Sequence, residues 1–340
     1  VIGKSYYLKG EYDKAEEIFT YLVRTVDGAD AEAWAYSWLG RTHMRTGDEV
    51  KAKNALAKAE GVRDASDDAK AHTLMVLAQY NILNEEYDAA ARHLEDALPL
   101  LKKKEVARTR VTFVLAQCLR EAGDKEGAIE QFQEVADMRW ADYEWVFQGN
   151  IQQAMTFDRR NGNSKAIVEL LEDMLEDKKN VDYLDQVYYA LGEVALEDRR
   201  RDESFDLFKS AAAAHVDNDR QLGKSYLKLA DLYMEDLVYT TAQAYYDSAL
   251  VYIEEEDERK EEISSLASDL GSLVDNLNII EEVDSLLSLC DMDEDTRLRA
   301  VDRVLRDMEL ELQRLRDERD AAEAAAAAAA ASDMSGAGMF

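Results

Sequence analysis

One motif recurs seven times along the chain, and this repetition constrains the fold more than any other feature. The copies cover residues 6–22, 43–59, 81–97, 119–135, 157–173, 195–211 and 233–249. A small residue recurs at steps of 37 and then 38 residues, at Gly3, Gly40, Ala78, Ala116, Ala154, Gly192 and Ala230. A self-similar period of this length predicts a stack of identical supersecondary units, each too small to bury its own apolar face.

Each unit has a second small position followed four residues later by a bulky one. The small series is Ala15, Ala52, Ala90, Ala128, Ala166, Ser204 and Ala242, and the bulky series is Phe19, Leu56, Leu94, Phe132, Leu170, Phe208 and Tyr246. This spacing is typical of amphipathic helices. Short segments such as KGEY and AGDK lie between the helices, where glycine can adopt the left-handed conformation that ends a helix. With Pro99 as the single proline, the sequence predicts an all-α fold.

The pattern resembles the tetratricopeptide repeat, whose usual period is 34 residues. This resemblance implies a right-handed superhelix of about seven helical hairpins over residues 1–253, with a truncated first repeat. The longer period of about 38 residues implies helices about one turn longer than usual. Each hairpin should contact mainly its neighbours, and the first helices should form the concave wall.

The resemblance also implies that fixed positions of the first helices line a groove that binds a peptide or a helix of a protein partner. The residues at these positions include Trp34, Arg41, Met44, Met75, Gln79, Arg110, Phe113, Gln117, Arg120, Met155 and Tyr189. Aromatic, methionine and amide side chains suit an adaptable binding surface. Arg41, Arg110 and Arg120 favour an acidic or carboxylate-bearing segment against copies two to four. Alternatively, these arginines pair with glutamates of neighbouring repeats.

Charge and composition argue against several other functions. The formal net charge of −31 would repel nucleic acid and anionic membrane surfaces. No run of 18 apolar residues is present, so no transmembrane segment is expected. Cys118 and Cys290 lack a metal-binding spacing, and the four histidines form no catalytic or zinc motif. We therefore expect a non-enzymatic protein without a metal or another cofactor.

Two heptad patterns replace the repeat after residue 253. The first comprises Ile263, Leu266, Leu270, Leu273, Leu277 and Ile280, and the second comprises Leu298, Val301, Leu305, Met308, Leu312 and Leu315. Residues 254–292 are expected to form capping helices, including a short helix over 281–290. A long charged and alanine-rich helix over 293–331, capped by Asp293 or Asp295, should precede a flexible end over 332–340. The second pattern extends beyond what capping needs, which suggests a second partner or a self-pairing coiled coil.

Three segments near the carboxyl end carry a narrower resemblance. They are YYDSAL (245–250), LVDNLNII (273–280) and DSLLSLCDM (284–292). They resemble the PorW/SprE-like tetratricopeptide lipoproteins of the Bacteroidetes type IX secretion and gliding motility machinery. This resemblance implies a fragment of a periplasmic protein, anchored to the outer membrane by an upstream lipid, that links components of the apparatus. The alternative is a cytoplasmic regulatory or sensor module that binds a peptide or a signalling partner.

Overall fold

The computed structural model describes residues 1–158, 164–254, 257 and 259–336, with only the backbone of residues 317, 318 and 320–336. Within these residues the chain forms helices and no strand. The α-helices are α1 (Ile2–Leu8), α2 (Tyr12–Thr25), α3 (Ala29–Thr46), α4 (Glu49–Glu60), α5 (Asp67–Leu83), α6 (Tyr87–Ala97), α7 (Val106–Glu121), α8 (Lys125–Ala136), α9 (Tyr143–Met155), α10 (Lys165–Glu176), α11 (Leu184–Glu197), α12 (Arg201–Ala213), α13 (Asp219–Glu235), α14 (Tyr239–Tyr252), α15 (Lys260–Asp291) and α16 (Glu294–Gly336). The predicted all-α class is confirmed.

Helices α1 to α14 form seven consecutive hairpins. In each hairpin the two helices pack together, and the second helix of most hairpins also packs on the first helix of the next. The first helices α3 and α5, α9 and α11, and α11 and α13 lie against one another. The buried side chains form a series of clusters along the array rather than one central core. This is the nearest-neighbour organisation of a repeat solenoid.

The small position of each first helix makes room for the bulky residue of its own hairpin. A Cβ atom added to Gly3 would lie 2.8 Å from the Phe19 ring. At Gly40 it would lie 2.6 Å from Leu56 Cδ2, and at Gly192 it would lie 2.7 Å from the Phe208 ring. Distances this short are far inside van der Waals contact, so the glycines let the two helices close over the bulky side chain.

Copy five departs from the repeat by one residue in its second helix. Ala166 is exposed and Leu170 is only half-buried, whereas Leu171 is fully buried. The assignment of Ala166 to the packed small position is therefore wrong. Leu170 still packs against the buried cluster of this hairpin, but Leu171 is the fully buried bulky residue. Residues 156–164 connect α9 to α10, whereas two or three residues connect the helices of every other hairpin. This longer connection lets α10 take a different rotation about its axis.

The turn that closes each first helix has the left-handed backbone expected of it. Gly10, Gly47 and Gly123 have φ angles of +77°, +75° and +91°. The equivalent residues of copies three, six and seven are Glu85, Arg199 and Leu237, and their φ angles are also positive. The equivalent residue of copy five lies outside the described residues. In the left-handed conformation the Cβ atom of a non-glycine residue crowds the following carbonyl group, so the turns at Glu85, Arg199 and Leu237 are strained.

Replacing Leu237 by glycine should therefore stabilise the protein. Leu237 has a φ of +61°, and it is 67% exposed, so glycine relieves the strain and removes little packing. We expect the free energy of unfolding to rise by about 1 kcal/mol in urea denaturation. Leu83→Gly is the matched control, because Leu83 is 64% exposed at the end of α5. That change should lower stability, and a loss of stability in both variants would contradict the strain at residue 237.

Helix α15 is one continuous helix, and the predicted separate helix over 281–290 does not form. Residues 272–291 contain no glycine or proline that would interrupt it. Its first half packs on α14, where Ile263, Ala267 and Leu270 are buried against Tyr246. This is the packing that closes the end of a solenoid. Beyond Val274 the apolar side chains are mostly exposed, including Ile280 of the first heptad pattern.

Helix α16 follows after a sharp turn. The carboxylate of Asp293 accepts a hydrogen bond of 3.0 Å from the backbone N–H of Thr296 and caps the helix. The helix continues through 332–336, which the sequence assigned to a flexible end, because its alanine-rich stretch has high helix propensity. Residues 337–340 lie outside the described residues.

Candidate partner-binding groove

Most of the predicted groove residues of copies two to four contribute to packing between helices. The Trp34 ring lies 4.0 Å from the His72 ring and 4.2 Å from Lys4 Nζ. The Arg41 guanidinium group lies 5.4 Å from the Tyr7 ring of α1 and 4.7 Å from the Trp38 ring of its own helix. Met44 and Met75 pack against two buried clusters. These side chains join neighbouring helices, which reduces the surface that they offer to a partner.

Copy four is joined to copy five through the same positions. The Phe113 ring lies between Phe132, at 5.4 Å, and Trp145, at 5.3 Å. Arg120 donates a hydrogen bond of 2.7 Å to Gln152 Oε1 of the next repeat. For Arg120 this is the alternative in which the arginine pairs with a neighbouring repeat, although its acceptor is an amide rather than a glutamate. Arg110 remains exposed, while Gln79 and Gln117 are half-buried.

A groove forms further along the array, between the first helices α9, α11 and α13. Its volume is about 410 Å³. It contains the predicted residues Met155 and Tyr189, and its full lining is Gln148, Ile151, Gln152, Met155, Gln186, Tyr189, Gln221, Lys224, Leu227, Lys228, Asp231 and Arg259. We call this set the α9–α11–α13 groove. It combines an apolar surface with amide and charged groups, the usual composition of a site that binds a flexible ligand.

The amides of the groove follow the repeat. Gln148 and Gln186 occupy equivalent positions of α9 and α11, and Gln148 Nε2 donates a hydrogen bond of 2.8 Å to Gln186 Oε1. Lys224 is the equivalent residue of α13. Equivalent positions on successive helices therefore present two amides and then a cation along one edge of the groove.

The acidic side chains of this half of the array have partners nearby. Glu193 lies 2.8 Å from Lys228 Nζ. Asp231 accepts a hydrogen bond of 2.7 Å from the Tyr246 hydroxyl group. Burial raises the pKa of Asp231 and outweighs this hydrogen bond, which acts in the opposite direction. Asp158 is buried and lies 3.1 Å from Lys125 Nζ. The acidic charge of these three side chains is thus largely compensated.

Lys224 is the centre of a positive area in the groove. Desolvation lowers the pKa of its ammonium group, and the nearby Arg220 and Arg259 lower it further. Both arginines also line the neighbouring depression beside Lys224. Arg259 is partly compensated by Asp257, at 3.0 Å. An anionic group placed here would stabilise the charged form of Lys224, which makes the site suitable for a carboxylate.

Sequence reasoning missed Arg259, Gln221 and Lys228 as groove residues. Arg259 follows the last repeat, so the periodic pattern gives no signal for it. Gln221 and Lys228 on α13, like Gln152 on α9, lie outside the groove positions that the resemblance implies.

The described residues offer little that resembles a catalytic or metal site. No group of histidine, cysteine and acidic side chains among them could hold a metal ion. Burial raises the pKa of the Cys118 thiol to about 11, which keeps it protonated and unreactive. Burial, followed by the charges of Arg41 and Lys4, lowers the pKa of His72 to about 3, so its ring is neutral. None of the described helices is long and apolar enough to cross a membrane.

The second predicted surface lies on α16. Its heptad residues are all exposed, namely Leu298, Val301, Leu305, Met308, Leu312 and Leu315. The structure therefore leaves this apolar stripe open to solvent within the described residues.

Comparison with known structures identifies the fold. The fold is similar to that of a tetratricopeptide repeat protein from Parabacteroides merdae, with a TM-score of 0.51, 12% identity, and coverage of 78% of this chain and 96% of that chain. The chain thus has the tetratricopeptide-repeat fold. Two further similar structures have TM-scores of 0.47. One is the C-terminal part of a repeat protein from Cytophaga hutchinsonii, with 11% identity and coverage of 77% and 98%. The other is the apo quorum sensor NprR from B. thuringiensis, with 12% identity and coverage of 77% and 76%.

The sequence comparisons add no narrower assignment. No protein-family model matches the chain, and no curated protein matches it. Membership of the PorW/SprE-like lipoproteins therefore remains a hypothesis that depends on the three short segments between residues 245 and 292.

Proposed function

We propose that this protein is a non-catalytic interaction scaffold that binds an acidic peptide segment of a protein partner in the α9–α11–α13 groove. The observation that carries the proposal is that Lys224 lines one depression together with Arg220 and Arg259, next to the apolar surface of the groove, in a chain of net charge −31. In so acidic a protein, a local positive area is an uncommon feature, and it selects for negative ligands.

The rest of the groove suits an extended peptide. The amides of Gln148, Gln186 and Gln221 each offer both a donor and an acceptor, so they can pair with a peptide backbone. Ile151, Met155 and Leu227 offer apolar contacts to side chains of the peptide, and methionine adapts to different shapes. Backbone pairing would give affinity, while Lys224 would select segments that carry aspartate, glutamate or a terminal carboxylate.

Binding to an array of peptides tests this proposal. We would measure the affinity of the chain for acidic, neutral and basic peptides of equal length by fluorescence anisotropy. Acidic peptides should bind most tightly, and Lys224→Glu should weaken them at least about tenfold, because one attraction becomes a repulsion. Lys53→Glu is the matched control, since Lys53 is exposed on α4 and changes the net charge equally. Equal weakening by both variants would mean that only the net charge of the protein matters. That result would contradict binding of the peptide in the α9–α11–α13 groove.

A double variant locates the peptide along the array. Arg110→Glu with Arg120→Glu should weaken binding if the partner lies against copies two to four, as the sequence predicts. If the peptide occupies the α9–α11–α13 groove, Arg110→Glu alone should bind as well as Lys53→Glu, whereas Arg120→Glu also removes the hydrogen bond to the groove residue Gln152.

We further propose that the partner is a component of a type IX secretion or gliding apparatus at the periplasmic face of the outer membrane. The support for this finer proposal is the resemblance of residues 245–250, 273–280 and 284–292 to the PorW/SprE-like lipoproteins. These segments lie on α14 and α15, next to the groove-bearing half of the array. Capture experiments with the wild type and the Lys224→Glu variant as bait test it. Recovery of cytoplasmic signalling proteins would favour the regulatory alternative.

A further inference from the structure

Helix α16 carries an uncovered apolar stripe with coiled-coil spacing. The residues Leu298, Val301, Leu305, Met308, Leu312 and Leu315 follow steps of three and four residues. They are between 40% and 58% exposed. These steps place Leu298, Leu305 and Leu312 at the a positions of three heptads, and the other three residues at the d positions. Apolar side chains at a and d positions form a seam that packs against a second helix in a coiled coil.

The start of α16 is held in place by its connection to α15. The Arg297 guanidinium group donates hydrogen bonds to the carbonyl oxygens of Leu289, Cys290 and Met292, at 2.7, 3.2 and 2.8 Å. These contacts satisfy carbonyl groups at the end of α15. The direction of α16 is therefore fixed at its first turn, before the apolar stripe begins.

The charges beside the stripe indicate which helix covers it. The e positions are Asp302, Glu309 and Arg316, and the g positions are Arg297, Val304 and Glu311. In a parallel, in-register pair, each g residue faces the e residue of the next heptad on the other helix. Glu311 then faces Arg316, which is a pair of opposite signs, whereas Arg297 is already bonded to carbonyl groups at the end of α15. An antiparallel pair with the same overlap would place Asp302 opposite Glu309 at its centre.

The overall charge of α16 also permits pairing with an identical helix. Residues 294–319 contain seven basic and eight acidic residues, whereas the whole chain has a net charge of −31. Two copies of most other parts of this protein would repel each other, but two copies of this segment are nearly neutral.

We propose that α16 pairs with α16 of a second copy of this chain as a parallel, in-register, two-stranded coiled coil. The dimer would hold two repeat arrays at the same end of the coiled coil and would leave both α9–α11–α13 grooves free. This inference does not depend on what the grooves bind.

Sedimentation velocity over a range of protein concentrations tests the proposal. The wild type should pass from monomer to dimer as its concentration rises. Leu305→Asp should raise the dissociation constant of the dimer at least about 100-fold, because it places two charges in the seam. Leu310→Asp is the matched control, since Leu310 is 69% exposed on α16 but occupies an f position, away from the seam. A monomer at every concentration, or equal weakening by both variants, would overturn the proposal.

A charge exchange tests the parallel arrangement without changing the seam. Arg316→Glu should weaken the dimer about tenfold, because Glu311 would then face another glutamate. Adding Glu311→Arg should restore the dimer, since the pair is attractive again with its signs reversed. Failure of the double variant to recover would contradict the parallel register. Circular dichroism of each variant controls for loss of helix.

Discussion

Replacement of Phe208 by alanine is expected to lower the free energy of unfolding by about 3–5 kcal/mol. The Phe208 side chain is fully buried on α12, and its ring contacts Tyr189 of the groove at a centroid distance of 5.2 Å. Leu229 and Leu232 of α13 belong to the same cluster. Removal of the ring would leave a cavity between two adjacent hairpins, where packed helices cannot easily collapse. Urea denaturation followed by circular dichroism measures the loss.

Tyr21→Ala is the control for this substitution. Tyr21 lies on α2, which is the second helix of its hairpin as α12 is, but its side chain is 64% exposed. Its removal should change stability by no more than about 0.5 kcal/mol. Similar losses in the two variants would show that the bulky repeat position does not carry the packing that we assign to it.

Gly192→Val should lower the free energy of unfolding by about 3 kcal/mol, because it overfills the space between the two helices instead of leaving a cavity. A Cβ atom at residue 192 would lie 2.7 Å from Phe208 Cε1, and valine adds two further carbons. The ring cannot withdraw, because Phe208 has no exposed surface. Ala166→Val controls for the lower helix propensity of valine, since Ala166 is exposed on α10. Its effect should stay below about 1 kcal/mol.

The two substitutions should interact when they are combined. In the double variant the valine can occupy part of the space that the missing Phe208 ring leaves. We therefore expect a loss smaller than the sum of the two single losses by about 1–3 kcal/mol. Strict additivity would contradict the direct contact between residues 192 and 208.

The hairpins could be predicted from the sequence because one physical requirement repeats in every unit. A small residue such as Gly40 must face a bulky residue such as Leu56, and both recur with the period of the chain. The prediction was wrong in copy five, where the longer connection over 156–164 removes the constraint on α10. Leu170 and Leu171 are then equally suitable by composition, and only packing decides between them.

The groove was less predictable than the hairpins. Tyr189 and Met155 were predicted, because they occupy two of the positions that recur on the first helices, and both line the α9–α11–α13 groove. The early arginines were given more weight than Lys224, since sequence alone does not show that Arg41 lies over the Tyr7 ring of α1 or that Arg120 bonds to Gln152 of α9. Those contacts depend on the distance between helices, which the periodic pattern does not specify.

The three left-handed turns without glycine bear on the cooperativity of unfolding. In a nearest-neighbour array, stability is roughly the sum of what each unit and each interface contributes. Arg199 and Leu237 place two of these strained turns in copies six and seven, on either side of α12 and α13. The array should therefore open first from its groove-bearing end, and α15 acts against this fraying by covering α14. The surface proposed to bind a partner thus lies in the hairpins that can change conformation at the lowest cost in free energy when the partner binds.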